Sequence, residues 1–220
     1  MPNRNADLDR TPLTGRVDFT MMYVAHDAFT RDLQRLTAAA GAGQTASPAV
    51  RAGWAMVKKQ LHIHHTTEDT SLWPALRQKV TRPDHVAVID AMEAEHARID
   101  PQLDAVDQAL AASDAISLTQ SAQALADSLI FHMRHEEDEA LPLVETFLGP
   151  KGWDAFGRAI RKTQGLRAGA EYLPWVLDGA PIATQAKILG LLPPPVRLLY
   201  RRVWAPKYLR TPRWDSSASG

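Results

Sequence analysis

The sequence predicts an all-α protein: an up-down-up-down four-helix bundle followed by a C-terminal extension of short helices and loops. Three observations lead there. Apolar residues and histidines recur at intervals of three and four in four long segments, no segment alternates with period two for long, and breaker-rich stretches separate the segments. A chain of 220 residues is long enough to bury a core without staples. It contains no cysteine, which excludes disulfides, thiolate zinc sites, cysteine-ligated iron–sulfur clusters and a cysteine nucleophile. No apolar run approaches the roughly 18 residues of a membrane-spanning helix. The opening MPNRNADLDRTPLTGRVDFT is polar and charged rather than a signal peptide, so the expected compartment is the cytoplasm.

The first helix is expected over about 17–40, with Met22, His26, Phe29, Leu33 and Leu36 on one stripe and AGAGQTASP ending it. The second starts after Ser47-Pro48, an N-cap followed by a proline at the first helical position. Its stripe is Trp54, Val57, Leu61, His64, Glu68 and Leu72, and Pro74 is expected to stop it. The third starts at Pro83 and carries Val86, Ile89, Met92/Glu93, His96, Ile99, Leu103, Val106 and Leu110. A bend is expected at Pro101, where a backbone donor is missing. The fourth starts near Ser117 and carries Leu118, Leu125, Leu129, His132, Glu136 and Leu143, with Pro142 near its end. These segments define a bundle over residues 17–150.

Residues 151–220 read differently. Phe147-Leu148-Gly149-Pro150-Lys151-Gly152 is a strong break, and a short helix is expected over 153–164. Beyond it, apolar pieces holding Tyr172, Trp175, Leu189, Tyr200, Trp204 and Tyr208 are cut by seven prolines. Such aromatic content argues against simple disorder, although the final DSSASG is expected to be mobile. Residues 1–150 hold 13 Lys/Arg against 21 Asp/Glu, net −8, and residues 151–220 hold 12 against 4, net +8. A basic cap packed on an acidic bundle explains this most simply. The rival reading lays Arg197, Arg201, Arg202, Lys207, Arg210 and Arg213, with Leu198, Leu199, Tyr200 and Trp204, weakly on anionic lipid. The same residues could contact nucleic-acid phosphates, but nothing specific supports it.

Two segments repeat. His64-His65-Thr66-Thr67-Glu68-Asp69 runs to Leu72-Trp73-Pro74, and His132-Met133-Arg134-His135-Glu136-Glu137 runs to Leu141-Pro142, at a constant offset of 68. His26 and His96 lie 70 apart, each one helix upstream of its pair. Residues four apart share a helix face, so an imidazole and a carboxylate from each repeat can meet one cation. Four inward stripes thus offer His26, His64, Glu68, His96, His132 and Glu136. Two buried glutamates without partners would be costly, and a cation relieves that cost. Nitrogen and oxygen donors without sulfur suit iron or manganese, with zinc chemically possible. Helical phase favours His64 over His65 and His132 over His135: three and seven residues before His64 lie Leu61 and Val57, whereas seven before His65 lies Lys58. His62, His65 and His135 are accordingly expected at the surface or behind the ligands. Asp69 and Glu137 either accept from a ligand imidazole or face solvent, the latter being favoured, and Asp100 is the main spare ligand.

This pattern over residues 17–150 resembles the hemerythrin-like family, the HHE cation-binding domain, and is most similar to its mycobacterial and actinobacterial members. The resemblance implies two iron ions per chain in a non-heme diiron centre acting on hydrogen peroxide, dioxygen or nitric oxide. Oxygen-carrying relatives use five histidines with one Asp and one Glu. The four histidines and two glutamates found here instead imply peroxide decomposition through diferrous and diferric states, the alternative being reversible binding, iron handling or redox sensing. Tyr23, one turn before His26, is the one further catalytic candidate, its other role being a packed aromatic.

Overall fold

In the computed structural model, which describes residues 13–164 and 169–214, four helices surround a common core. They are α1 (Thr20–Gly41), α2 (Pro48–Thr67), α4 (Pro83–Ala112) and α5 (Ala115–His135), while α3 (Trp73–Arg77) prolongs α2. Around the bundle α1 neighbours α2 and α5, and α4 neighbours α5 and α2. Helix α2 opens on Ser47, whose hydroxyl accepts from the Val50 amide, with Pro48 at the first helical position. Asp114 caps α5 by accepting from the Ile116 and Ser117 amides.

The prolines behave differently from expectation. Helix α4 runs unbroken through Pro101. Pro74 does not stop the second helix. A π-helical turn, Glu68–Leu72, lies between α2 and α3, and the Trp73 amide donates to the Glu68 carbonyl five residues back. The fourth helix does the same at Glu136–Ala140, before α6 (Leu141–Leu143), and again at Val144–Leu148. Each π-turn has a proline six residues after its first residue: Pro74, Pro142 and Pro150. A proline there cannot donate to the carbonyl four residues back, and its ring crowds that carbonyl. Widening one turn relieves the crowding while the helix continues.

The core has two apolar clusters. One contains Phe29, Leu33, Leu36, Trp54, Val57, Leu61, Ile99, Val106, Leu125 and Leu129. The other contains Phe19, Met22, Leu72, Trp73, Leu76, Ile89, Met92, Leu141 and Val144. Along α2, α4 and α5 the chain passes from one cluster to the other through a histidine or glutamate, and on α1 His26 lies just past the change from Met22 to Val24 and Ala25.

The extension consists of α7 (Gly149–Gln164), α8 (Gly169–Val176), α9 (Ile182–Leu191), α10 (Pro194–Leu199), a further π-turn at Tyr200–Trp204 followed by Pro206, and α11 (Ala205–Leu209). It shares the bundle core, because Trp175, Val176, Leu177, Ile188, Tyr200, Tyr208 and Trp214 are buried in the first cluster. Trp175 stacks beside Phe29 at 5.0 Å and donates Nε1–H to the buried Asp32 at 2.8 Å. Trp214 lies over Gly53, where an added Cβ would come within 2.3 Å of the indole. The net charges do not govern this docking. Arg35 and Lys59 of the bundle pair with Asp178 and Glu171 of the extension, opposite in sense to the −8 and +8 balance, and among the described residues only Lys187 with Asp18 follows it. Arg201, Arg202, Lys207 and Arg210 stay exposed beside the exposed Leu198, Leu199, Val203 and Leu209. The terminal DSSASG falls outside the described residues. Among the described residues, no helix is long and apolar enough to cross a membrane.

Docking by buried aromatics has a measurable consequence. Trp175→Ala leaves a cavity and takes the indole donor from Asp32 Oδ2, while Arg31 and Arg35 still hold Oδ1, and should cost about 3–5 kcal/mol in chemical denaturation. Gly53→Val, on the face of α2 that Trp214 covers, should cost about 1–3 kcal/mol by displacing the indole.

Candidate metal centre

Seven side chains meet in the polar layer between the apolar clusters: His26 of α1, His64 and His65 of α2, Glu68 of the first π-turn, His96 of α4, His132 of α5 and Glu136 of the second π-turn. They form two groups. One donor atom each from His65, His96 and His132 lie within 4.8 Å of one another, and so do donor atoms from His26, His64 and Glu136. The His65 and His96 rings stack at 3.8 Å, and Nε2 of His96 lies 3.0 Å from Nε2 of His132. Glu136 Oε2 lies 3.2 Å from His26 Nε2. Glu68 lies between the groups, with Oε1 3.1 Å from His64 Nε2 and Oε2 3.7 Å from His96 Nε2.

Carboxylates orient three of the imidazoles from behind. Nδ1 of His26 lies 2.7 Å from Glu137, Nδ1 of His96 lies 2.8 Å from Asp69, and Nδ1 of His132 lies 2.9 Å from Glu95. Each places a proton on Nδ1 and leaves Nε2 as an inward lone pair. Glu95 also binds Nδ1 of His135 at 2.8 Å. The arrangement carries the duplication seen in the sequence: Asp69 serves His96 as Glu137 serves His26, with the same offsets of 68 and 70.

The inward atoms are orphans. Nε2 of His26, His64 and His65, and both oxygens of Glu68 and of Glu136, are buried with no hydrogen-bond partner among the described residues. Buried polar atoms are normally paired, and leaving this many unpaired is costly. The energetics of ionisation agree. Burial, reinforced by the charges of Glu136 and Asp69, pushes Glu68 well above the usual carboxylate range. Burial acts the same way on Glu136, but the facing His26 outweighs it and lowers Glu136 to about 2. Burial would depress His26, yet Glu136 and Glu137 raise it to about 9. Burial first, then the charge on His26, lowers His64 to about 3. A cation would satisfy the orphaned atoms together, so the residues fit a metal. Imidazole and carboxylate donors without sulfur fit iron.

A four-helix bundle with two adjacent histidine and glutamate groups in its polar midsection is a scaffold for a binuclear metal site. The hemerythrin HHE cation-binding domain profile matches residues 17–144, and the chain belongs to that family. The match ends before α7, so the extension lies outside it. No curated protein and no solved structure matches the chain.

The six residues singled out by periodicity are all brought into the layer. Other expectations are corrected. His65 is neither exposed nor behind the others: it is buried, with Nε2 facing inward. An inward helix face is wider than one residue, so neighbours can share it, and Lys58 withdraws its charge to Asp107. Leu61 four before His65 and Leu72 seven after it carried that signal. Asp69 and Glu137 support imidazoles rather than face solvent, and Asp100 is exposed and away from the site. Glu95 was missed, although it lies three residues after Met92 and four before Ile99 on the apolar stripe. Tyr23 accepts a hydrogen bond from the Leu13 amide at 3.2 Å and belongs to neither donor group.

If His65 is a donor, elemental analysis after anaerobic iron loading should find two metal ions per chain in the parent and about one in His65→Ala. Two tightly held ions in that variant would return His65 to a supporting role. Glu95→Gln should keep the fold and weaken metal binding by about 10–100-fold in a chelator competition, because it removes the carboxylate behind His132.

Proposed function

We propose that the protein is a non-heme diiron module that reversibly binds a small oxygen or nitrogen-oxide molecule. In this reading His65, His96 and His132 would hold one iron, His26 and His64 would hold the other, and Glu68 and Glu136 would supply the carboxylate oxygens. The observation that carries it is the division of five imidazoles into three and two around two carboxylates. The peroxide reading rested on only four imidazoles, and His65 supplies a fifth. The two-histidine side has one protein donor fewer, which leaves it the place for an external ligand. It is also the more accessible side, since the His64 side chain retains 11% exposure and lines a cleft, whereas His65, His96 and His132 on the other side are all buried.

Bound iron would supply a redox-active Lewis acid there. The chain supplies the rest. Asp69, Glu95 and Glu137 fix the tautomer and direction of their imidazoles, and the apolar clusters on both sides exclude bulk water and limit proton delivery. Among the described residues, the carboxylates next to the donors are already engaged by histidines rather than free to shuttle protons, which favours binding over turnover.

Anaerobic titration of the reduced, iron-loaded protein with nitric oxide should saturate at one molecule per chain and reverse when the gas is removed. Dioxygen should compete for the same position. Vigorous oxygen evolution from hydrogen peroxide, with no reversible gas binding, would reinstate the catalase-like reading. Neither activity in protein holding two irons would count against both.

A further inference from the structure

The two halves of the centre differ behind His64. The duplication pairs His64 with His132 and His26 with His96, so the residue preceding His96, Glu95, corresponds to the residue preceding His26, Ala25. Glu95 provides the carboxylate that binds Nδ1 of His132. Ala25 has no such group, and among the described residues Nδ1 of His64 has no hydrogen-bond partner. In place of that carboxylate lies a cleft of about 470 Å³ that Ala25 and His64 both line. Its other walls come largely from the extension, including Trp153, Phe156, Ile160, Tyr172 and Leu173, and are mostly apolar. The volume lies in the range of small-molecule sites. Besides His64, the polar side chains lining it are Tyr172, Arg161, Asp18 and the exposed Asp154. Tyr172 lines the cleft and its hydroxyl makes no hydrogen bond among the described residues. Arg161 lines it from an exposed position and has no ion pair among the described residues, whereas Asp18, on the same wall, is engaged by Lys187.

We propose that this cleft binds an organic monocarboxylate with an apolar chain, whose carboxylate occupies behind His64 the place that Glu95 occupies behind His132. The chain of the ligand lies along the aromatic and aliphatic side chains of α7 and α8, and its carboxylate accepts from His64 Nδ1–H with Tyr172 Oη–H within the same cleft. Occupancy gives His64 the carboxylate support that His26, His96 and His132 already have, so the ligand tunes the two-histidine side of the metal site from outside the donor set. The extension thereby has a function besides stability: it builds a regulatory pocket on the family's bundle. The influence on the metal rests on the diiron reading, whereas the binding itself does not.

Isothermal titration of the full chain with decanoate tests the binding, first on metal-free protein. Saturable binding of one decanoate per chain is expected, with 1-decanol at least tenfold weaker because it lacks the carboxylate. Gly157→Leu fills the cleft: an added Cβ meets only the end of the flexible Arg161 side chain, at 3.4 Å, and leucine suits the α7 helix better than glycine. It should weaken decanoate at least tenfold with an unchanged melting temperature or a higher one. Ala25→Glu installs the missing carboxylate and should also abolish binding, but Gly157→Leu decides if that variant misfolds. In zinc-loaded protein, decanoate should shift the His64 imidazole Nδ1–H resonance and leave that of His132 in place. No saturable binding, equal binding of decanol, or unweakened binding to Gly157→Leu overturns the pocket. Tight decanoate binding with an unmoved His64 resonance overturns its place behind His64. Failure of the protein to hold two metals, with decanoate binding intact, would sink the diiron reading and spare the pocket.

Discussion

The structure depends on one constraint: two carboxylates and five imidazoles are held in the middle of an apolar bundle. Among the described residues neither glutamate has a hydrogen-bond partner for either oxygen, and three of the imidazoles present an unpaired Nε2. Taken alone, such a layer would be expelled from a helical core or neutralised by protonation. It is retained because the layer is narrow and is sealed by apolar residues on both sides. The rest of the bundle follows from it. Each helix must change from apolar to polar and back within about two turns, and each must do so at the same height. Metal binding and folding are thereby coupled, since a cation stabilises only the state in which all four helices are in register.

The duplication explains how so specific a site arises from simple parts. One hairpin supplies His26, His64, Glu68 and Asp69, and the other supplies His96, His132, Glu136 and Glu137. In each, the first acid of the pair turns to the centre and the second reaches the upstream histidine of the other hairpin. The two halves therefore orient each other's ligands. Exact symmetry would give two equivalent metal positions and no reason for an external ligand to prefer one. Two substitutions break it. His65 corresponds to Met133 and gives one side a third imidazole; Glu95 corresponds to Ala25 and leaves His64 without the carboxylate that His132 has. Both differences favour an external ligand on the His26–His64 side.

Much of this was legible in the sequence, for physical reasons. The bundle and the six residues on its stripes could be read because helix burial imposes a period of 3.6, and because histidine and glutamate at apolar positions violate that pattern conspicuously. His65 escaped because phase was judged against a single residue, Lys58, whose ammonium reaches Asp107 while the helix face beneath it stays inward. Glu95 escaped because a glutamate beside a histidine on a mostly charged helix surface looks like solvent exposure, and only the neighbouring helix supplies His132 and His135 as its partners. The charge imbalance between the two parts of the chain misled for a related reason. Net charge sums over whole surfaces, whereas docking is decided where Trp175, Tyr208 and Trp214 are buried, and the ion pairs around them run against the overall sign.

The prolines connect the local backbone to the chemistry. A proline in an α-helix normally bends or ends it, and the sequence led to that expectation for Pro74. In both hairpins the chain instead inserts a π-turn that begins at the glutamate of the metal layer. A π-turn advances the helix by a smaller angle per residue than an α-turn, so side chains just after the glutamate come round differently from those of a regular helix. Glu68 and Asp69, or Glu136 and Glu137, can then serve a central position and an imidazole of another helix from adjacent residues. The cost of the wide turn is borne at the position where its geometry is used. The same spacing at Tyr200 and Pro206, far from any metal donor, shows that the proline is sufficient to accompany a π-turn without a metal site. What distinguishes the two central turns is therefore not the proline but the acid pair placed at their start: backbone irregularity sets the direction, and carboxylate chemistry gives that direction a use.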